Sequence, residues 1–351
     1  MRTDEIFEDT CAAARRHHPQ LKPFLTDGES MRRAAASMSH DALPPGRTIV
    51  DPHTEDRDLR LMASGSAVNV LQAPGRVPET VRDLKPPGAF HTNTFALGQA
   101  RRTAILTTAS STVLRISPRG FRKISMDTPM IAVALLRWAA MDLVDGIREH
   151  RSGSNAWAIR YGWRGSPEHV FETASAGRQP VELDPGTRDA AAEGLRSVRC
   201  FQSVSLHPLA NGLGTHVHLV TVPEGEPIVA HGELDGHVYL LLEGEAEMFG
   251  ASGYSLARFR GGGGAQEVII GEVSFLAQGG RVGTVTATTD CLLLQIPRDA
   301  VLWMLRHHPV LAVTLHKALL RTLCWRMLEA DDEREQLVAA LAGTVVPPPR
   351  R

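Results

Sequence analysis

The spacing of apolar and polar residues changes from helical to strand-like and back to helical, and this sequence of changes occurs twice along the chain. Residues 1–43 mix apolar and charged side chains at helical spacing, so we predict helix there. Residues 44–116 form short apolar runs separated by Gly, Pro, Asn and Asp, which is typical of a β-sandwich or jelly roll. Helical spacing returns from Pro118 to about Glu149, and it returns again after a second strand-rich segment that begins near Val217.

The two strand-rich segments are predicted to be copies of one module. A shift of 180 residues aligns the later part of the first segment with the second, and a shift of 179 aligns the earlier part. Matches that keep the same order over roughly 100 residues are hard to obtain by chance, so we predict two copies of one fold. The aligned pairs include Gly46 with Gly225, Asp56 with Asp235, Gly65 with Gly244, Phe95 with Phe275, Arg101 with Arg281 and Pro129 with Pro309.

These patterns predict a mainly β fold with flanking α-helices, made of two tandem jelly rolls (double-stranded β-helices). We place the first domain at residues 1–150, a connector rich in Gly, Ser and Pro at 151–185, the second domain at 186–332 and a flexible tail at 333–351. A helix near Thr187 to Phe201 is expected to precede the second roll. After Ile296, Pro309 should separate a short helix from a longer one that ends near Asp331.

The overall charge narrows the classes of partner. The chain has 351 residues, of which 43% are hydrophobic, and its 38 Lys and Arg balance 39 Asp and Glu. Such a balance gives no global attraction to nucleic acid, and no apolar run approaches the roughly 18 residues of a membrane span. The four cysteines show no metal-binding or disulfide spacing. We therefore expect a cytoplasmic protein with no nucleic-acid partner, no membrane span and no cofactor.

Residues 270–285, IGEVSFLAQGGRVGTV, hold the parts of an anion site. The Arg281 guanidinium can grip a phosphate with two hydrogen bonds, and backbone N–H groups in a tight turn can form a nest for the same anion. Gly283 lets the backbone approach closely. Glu272 cannot bind a phosphate, but its carboxylate accepts hydrogen bonds from hydroxyl groups such as those of a ribose. The alternative is that Arg281 pairs with Glu272 in an empty roll.

This stretch resembles the phosphate-binding cassette of cyclic nucleotide-binding domains, whose pattern is FGE-[LIV]-A-x-L, a short spacer and RAATV. The resemblance implies that Arg281 neutralises the cyclic phosphate and that Glu272 accepts from the ribose 2′-hydroxyl. Val282 stands where a threonine favours guanine in the family, so the implied preference is for cAMP, with cGMP as the alternative ligand. The implied binding residues are Gly271, Glu272, Val273, Ser274, Arg281, Val282, Gly283 and Thr284, with Trp325 as a possible cap on the base.

The string from Ile228 to Gly244 resembles a second signature of that family, V-x-x-G-E-x-G-D followed by an apolar run and Gly. Asp235 and Gly236 invert the usual Gly-Asp order. In the first copy of the module the cassette is degenerate. His91 and Thr92 replace the Gly-Glu pair, so the ribose acceptor is missing there. We expect that copy, with Thr92, Arg101 and Arg102 at its site, to serve a structural or partner-binding role.

Two other interpretations remain open at this stage. Arg32 and Arg33 before three alanines resemble the pseudosubstrate of cAMP-dependent kinase regulatory subunits, which would make a kinase catalytic chain a partner; a packed helix is the alternative. The second interpretation is a cupin-like metal enzyme that uses the H-x-E-x3-H string from His231 to His237, with exposed loop histidines as its alternative.

The function we expect from the sequence is that of a non-enzymatic sensor. Its second roll would bind cAMP and signal through the C-terminal helices to an unknown effector. A ligand-free regulatory scaffold is the alternative. No nucleophilic triad, nucleotide-hydrolysing loop or acid pair favours catalysis.

Overall fold

The fold is described by a computed structural model of the whole chain. The residues it describes are 1–51, 56–71, 79–98, 103–160, 178–181, 215–249, 255–261, 269–277 and 279–341. The helix predicted near residues 187–201 lies outside them. Within them, the mainly β fold with flanking helices and two tandem jelly rolls is confirmed.

The first roll consists of two facing four-stranded sheets with antiparallel pairing. Their strand orders are β1-β8-β3-β6 and β2-β7-β4-β5. Strand β8 is buried on both faces, since Val113 lies in the interior cluster of the roll while Leu114 and Ile116 lie in the cluster that includes the helices. The strands are β1 (Ser39–Leu43), β2 (Thr48–Val50), β3 (Leu59–Ser64), β4 (Ala67–Leu71), β5 (Glu79–Leu84), β6 (Gly88–Phe90), β7 (Thr103–Thr107) and β8 (Ser111–Ile116).

Helices precede, interrupt and follow this roll. Asp27 begins α2 because its carboxylate accepts from the N–H groups of Glu29 at 3.1 Å and Ser30 at 3.3 Å. The helices are α1 (Thr3–His17), a 3-10 helix (Pro19–Phe24), α2 (Gly28–Ala35), α3 (Thr92–Leu97), α4 (Pro118–Asp127) and α5 (Pro129–Arg160).

The second roll repeats the plan with sheets β15-β12-β17-β10-β9 and β11-β16-β13-β14. Its strands are β9 (Gln179–Pro180), β10 (His218–Val222), β11 (Pro227–Val229), β12 (Val238–Glu243), β13 (Glu245–Phe249), β14 (Ser255–Arg260), β15 (Ile269–Ile270), β16 (Thr284–Ala287) and β17 (Cys291–Ile296). The helices that we number next are α6 (Glu272–Ala277), α7 (Ala300–His307) and α8 (Pro309–Leu341).

Strand register shows that the two rolls share one plan. Register pairs between counterpart strands obey the shift of 179 up to β4 and 180 from β6 onward, whereas β5 departs from it, because Ala67 pairs with Leu84 but Ala246 pairs with Phe259. A site in one roll can therefore be compared residue by residue with the other. In the first roll the pairs are Val50 with Ile105, Asn69 with Ile105 and Arg60 with Phe90. Their counterparts in the second roll are Val229 with Val285, Met248 with Val285 and Tyr239 with Ile270.

The helices of the two modules pack across one another at the centre of the protein. Helix α5 of the first module packs on α8 and on the cassette helix α6, and α8 packs in turn on α3. One apolar cluster runs through these helices and includes the fully buried Trp138 and Phe275. Each roll also has its own smaller interior cluster. Because both cassette helices touch the long helix of the other module, movement in one cassette is mechanically connected to both modules.

Several sequence expectations about boundaries need correction. Residues 39–43, predicted as helix, form the edge strand β1, because pairing with Ser111–Ile116 outweighs the local helical spacing. Helix α5 continues past Glu149 to Arg160, and Gln179–Pro180 in the predicted connector adds a strand to the second roll. Helix α8 runs to Leu341 instead of ending near Asp331, since residues 327–341 are rich in strong helix formers.

The possible pseudosubstrate lies in a packed helix. Arg32 and Arg33 belong to α2, and Ala34 and Ala35 after them are buried in the central cluster. The segment is therefore not presented as an extended peptide in this arrangement. Among the described helices, none is both long and apolar enough to cross a lipid bilayer.

Candidate functional site

The cassette of the second roll begins at a backbone turn that requires glycine. Gly271 has φ +87°, a left-handed conformation that directs the chain from β15 into α6. A Cβ at this position would lie 2.0 Å from Nη1 of Arg281. Glycine is therefore needed both for the turn and for the space that the guanidinium occupies.

Arg281 is buried in the roll, and its guanidinium is held by three oxygen acceptors. Nη1 donates to the carbonyl oxygen of Gly271 at 3.0 Å and to Oγ of Ser274 at 2.7 Å, while Nη2 pairs with the carboxylate of Asp235. The Nε group has no hydrogen-bond partner among the described residues. The guanidinium is thus fixed in position and still has a buried donor to offer a ligand.

Asp235 is the acid that holds this arginine. Burial alone would raise the pKa of its carboxyl group, but Arg281, the Tyr239 hydroxyl at 2.8 Å and Arg178 outweigh burial and lower the pKa below its ordinary value. Arg178 also pairs with Glu233, which accepts from the backbone N–H of Ala230 at 3.2 Å. The carboxylates of the signature before Gly244 therefore order the arginines of the site.

Glu272 is fully buried and is paired with the C-terminal helix. Nη1 of Arg326 on α8 lies 2.6 Å from its Oε1, and Nη2 of Arg326 donates to the carbonyl oxygen of Ile269 at 3.3 Å. The Arg326–Glu272 contact is an ion pair without hydrogen-bond geometry, because both carboxylate oxygens lack a hydrogen-bond partner among the described residues. Glu272 therefore has its charge compensated while its lone pairs remain available to a hydroxyl group.

Arg281 and Glu272 line the same cavity but do not pair with each other. The cavity encloses about 300 Å³ of empty space, part of which is continuous with open solvent. One side is apolar and the other supplies the arginine and the carboxylate. Its lining consists of Val229, Met248, Ile270, Gly271, Glu272, Val273, Ser274, Arg281, Val282, Gly283, Val285 and Arg326.

Seven of the eight cassette residues chosen from the sequence line this cavity, and Thr284 does not. The Thr284 hydroxyl accepts from the backbone N–H of His231 at 3.0 Å on the other face of β16. At Gly283 a Cβ would lie 2.7 Å from the carbonyl oxygen of Phe249, so glycine lets β16 approach β13. Trp325 is 41% exposed on α8 and lies outside the lining.

The first roll differs at the same place. Thr92 is buried at the start of α3, and His91 before it adopts φ +63° where the second roll has Gly271. Arg101 and Arg102 lie outside the described residues. The neutral hydroxyl of Thr92 cannot replace the charge of Glu272 as an acceptor.

The histidine-rich string does not assemble a metal site in the described part of the chain. Within that part, no three His, Cys, Asp or Glu side chains converge as a ligand set. Glu233 is used by Arg178, and Nδ1 of His237 is 2.5 Å from Nε2 of Gln295. These polar partners account for two of the residues in the cupin-like string.

The role of Asp235 as the anchor of Arg281 was not predicted from the sequence, and no role was predicted for Arg326. The signature that contains Asp235 was recognised, and an acid near a cassette arginine could have been proposed from it. No comparable signal existed for Arg326, because its role depends on where a distant helix docks.

Comparison with known proteins shows that the sequence of the second roll is similar to cyclic nucleotide-binding domains. Residues 219–308 match the model of the cyclic nucleotide-binding domain family. The chain is also 32% identical over 119 residues to the cyclic AMP receptor protein of Thermus thermophilus, which covers 33% of this chain. The chain spans about half the length of that relative, since the match covers 51% of it.

The solved structures that match this chain include two whose descriptions name a cyclic nucleotide-binding domain or cAMP. One is a cyclic nucleotide-binding domain from Methylobacillus flagellatus, with 19% identity and a TM-score of 0.38 over 51% of this chain and 96% of that chain. Another is the regulatory domain of Toxoplasma gondii PKA with cAMP, with 13% identity and a TM-score of 0.29 over 95% and 97%. Both TM-scores are low, so the assignment of residues 219–308 depends on the sequence matches.

Proposed function

We propose, from the membership of residues 219–308 in the cyclic nucleotide-binding domain family, that the second roll binds a cyclic nucleotide and that its preferred ligand is cAMP. The observation that supports this most directly is the shared cavity of Arg281 and Glu272, which keeps a positive group and an acceptor apart. An empty roll would be expected to neutralise them against each other.

Each polar group of the cavity has a place in this proposal. The buried Arg281 guanidinium neutralises the cyclic phosphate, and backbone N–H groups near Val282 and Gly283 complete the anion nest. Glu272 accepts from the ribose 2′-hydroxyl. Val282 offers no hydroxyl to a guanine, which favours adenine, and Trp325 is the candidate cap on the base.

Isothermal titration calorimetry of the whole chain with cAMP and cGMP tests the proposal. We expect about one molar equivalent of cAMP at the second roll and weaker binding of cGMP. Arg281→Ala should reduce the affinity for cAMP by at least about 100-fold, since it removes the charge-assisted bonds to phosphate. Absence of heat from both nucleotides would favour the ligand-free scaffold instead.

We further propose signalling through the C-terminal helices, which the pairing of Glu272 with Arg326 supports. A ribose hydroxyl at Glu272 competes for the carboxylate that holds α8, so ligand binding biases the position of that helix. The change should appear in the fluorescence of Trp325, which is half-exposed beside Arg326. A cAMP-dependent spectral change that disappears in Trp325→Phe supports this route, and identical spectra with and without cAMP contradict it.

A further inference from the structure

We propose that the first roll holds a separate binding site for an uncharged ligand rich in hydroxyl groups, such as a pentose or a nucleoside. The site comprises Asn69, His91, Asn93, Thr94 and Thr103, which we call the polar cluster. Their counterparts under the repeat line the cavity of the second roll, as Met248, Gly271, Val273, Ser274 and Gly283. The same topology therefore directs the polar cluster to the interior of the first roll.

The polar cluster is buried and largely without partners. All five side chains are at most 7% exposed. Among the described residues, no hydrogen-bond partner exists for Oδ1 of Asn69, Nε2 of His91, both amide atoms of Asn93, or the hydroxyl groups of Thr94 and Thr103. Each such group destabilises a folded protein by about 1–3 kcal/mol. The second roll shows that apolar or absent side chains fit four of these five positions.

The chemistry of the polar cluster matches hydroxyl groups. The Nδ1 of His91 lies 2.9 Å from the carbonyl oxygen of Asp58, which can only accept, so Nδ1 bears the hydrogen and Nε2 is an acceptor. Burial lowers the pKa of His91, which keeps the ring neutral near pH 7. Amide groups donate and accept, and so do the threonine hydroxyls. A ring with several hydroxyl groups satisfies such a mixture.

The same geometry argues against a phosphate in the position used by the second roll. There, a Cβ on Gly271 would lie 2.0 Å from the Arg281 guanidinium. In the first roll residue 91 has a side chain, so His91 takes the space in which that guanidinium lies. Its left-handed backbone is also unusual for a residue other than glycine and is tolerated at some cost in stability. Position 91 therefore supplies a neutral hydrogen-bond acceptor, whereas Gly271 at the corresponding position leaves room for an anion-binding guanidinium.

Calorimetric titration of the full chain carrying Arg281→Ala and Glu272→Gln, which removes both proposed ligand contacts of the second roll, tests this site with D-ribose, adenosine and guanosine as probes. We expect about one equivalent of at least one probe to bind, with the same affinity in the wild-type chain. Binding of ribose shows that the pentose is sufficient, and binding of nucleosides alone shows that the base contributes. Heat from none of the three probes in either chain overturns the proposal.

Variants that carry the second-roll residue separate binding from folding. Asn93→Val and Thr103→Gly should each weaken probe binding at least about tenfold while leaving cAMP binding at the second roll unchanged. In the free chain, Asn93→Val should raise the midpoint of urea unfolding, because it removes two unpaired polar atoms. A lower unfolding midpoint for Asn93→Val, or probe affinities unchanged in both variants, would contradict the proposal. Binding of cAMP at the first roll as tightly as the uncharged probes would contradict it as well.

Discussion

Arg326 of the last helix places its Nη1 2.6 Å from Oε1 of Glu272, a carboxylate with no exposed surface. The guanidinium of Arg326 also lies over the Phe259 ring, 5.5 Å from its centroid. An arginine from outside the cassette thus compensates the charge of the proposed ribose acceptor. In this proposal the ligand and Arg326 of helix α8 interact with the same carboxylate.

Removal of this arginine should strengthen ligand binding. In Arg326→Gln the free state loses the compensation of a buried carboxylate, and a ribose hydroxyl then supplies a missing partner. We expect cAMP to bind about tenfold more tightly, which corresponds to about 1.4 kcal/mol. The free protein should be less stable, because an unpaired buried charge remains.

Calorimetry and urea unfolding of Arg326→Gln check both effects, with Arg306→Gln as the matched control. Arg306 is exposed on α7 and lies outside the cavity lining, so its loss should change neither quantity measurably. Unchanged cAMP affinity in Arg326→Gln would show that the ion pair does not compete with the ligand.

Alanine substitution at two glycines with similar backbone conformation distinguishes the effect of backbone strain from the effect of displacing Arg281. Gly271 has φ +87° and no room for a Cβ beside Arg281, whereas Gly225 has φ +84° and open space around it. Alanine at either position should destabilise the fold by about 1–2 kcal/mol from the left-handed backbone. Only Gly271→Ala should also reduce cAMP affinity, by about tenfold or more.

Urea unfolding and calorimetric titration of both variants provide the comparison. A wild-type cAMP affinity in both Gly271→Ala and Gly225→Ala would mean that Arg281 tolerates displacement without loss of function. A reduction in both would mean that general destabilisation of the roll accounts for weaker binding.

Local spacing was sufficient to predict the two rolls and the cassette, because both depend on short-range patterns. Alternating burial is seen in β13, and left-handed glycines such as Gly65 and Gly244 mark the corresponding turns of the two copies. The predicted shifts of 179 and 180 reappear in the strand registers. The cassette residues came together because they are close in sequence and share one turn.

Strand β1 and the role of Arg326 could not be predicted, because both depend on contacts between distant segments. Residues 39–43 become a strand only because β8 offers an unpaired edge, and Arg326 reaches Glu272 only because α8 docks across the roll. The polar cluster was invisible for a similar reason. Asn69 and Asn93 look ordinary in the sequence, and their lack of partners is a property of the packed roll.

Acid unfolding should reveal the contribution of Asp235. Its folded-state pKa is lowered, so its stabilisation is complete above the unfolded value of about 4 and is lost as the pH falls through the folded value. Asp235→Asn should destabilise the protein by about 2 kcal/mol at pH 7, and the difference from wild type should shrink below pH 4. The exposed Glu224→Gln is the control and should show almost no difference. A pH-independent difference for Asp235→Asn would exclude a charge effect.

The contact between the two modules should respond to pH through His316. Its Nδ1 lies 2.8 Å from the carbonyl oxygen of Ala312, so Nδ1–H donates there, and Nε2 accepts from Nη1 of the buried Arg137 at 3.2 Å. Burial, reinforced by Arg137, lowers the pKa of His316 to about 3. Protonation would place two positive charges side by side within the interface.

Because the folded-state pKa is lowered, the unfolded chain binds a proton near pH 6.5 that the folded chain excludes. Stability is unaffected by this histidine above that pH and decreases by about 1.4 kcal/mol for each further unit of acidification towards pH 3. Between pH 7.5 and pH 5, wild type should lose about 2 kcal/mol more than His316→Gln, whose amide still offers an acceptor to Arg137. Urea unfolding at both pH values, with the exposed His307→Gln as control, measures the difference. Parallel losses in wild type and His316→Gln would show that His316 is not the titrating group.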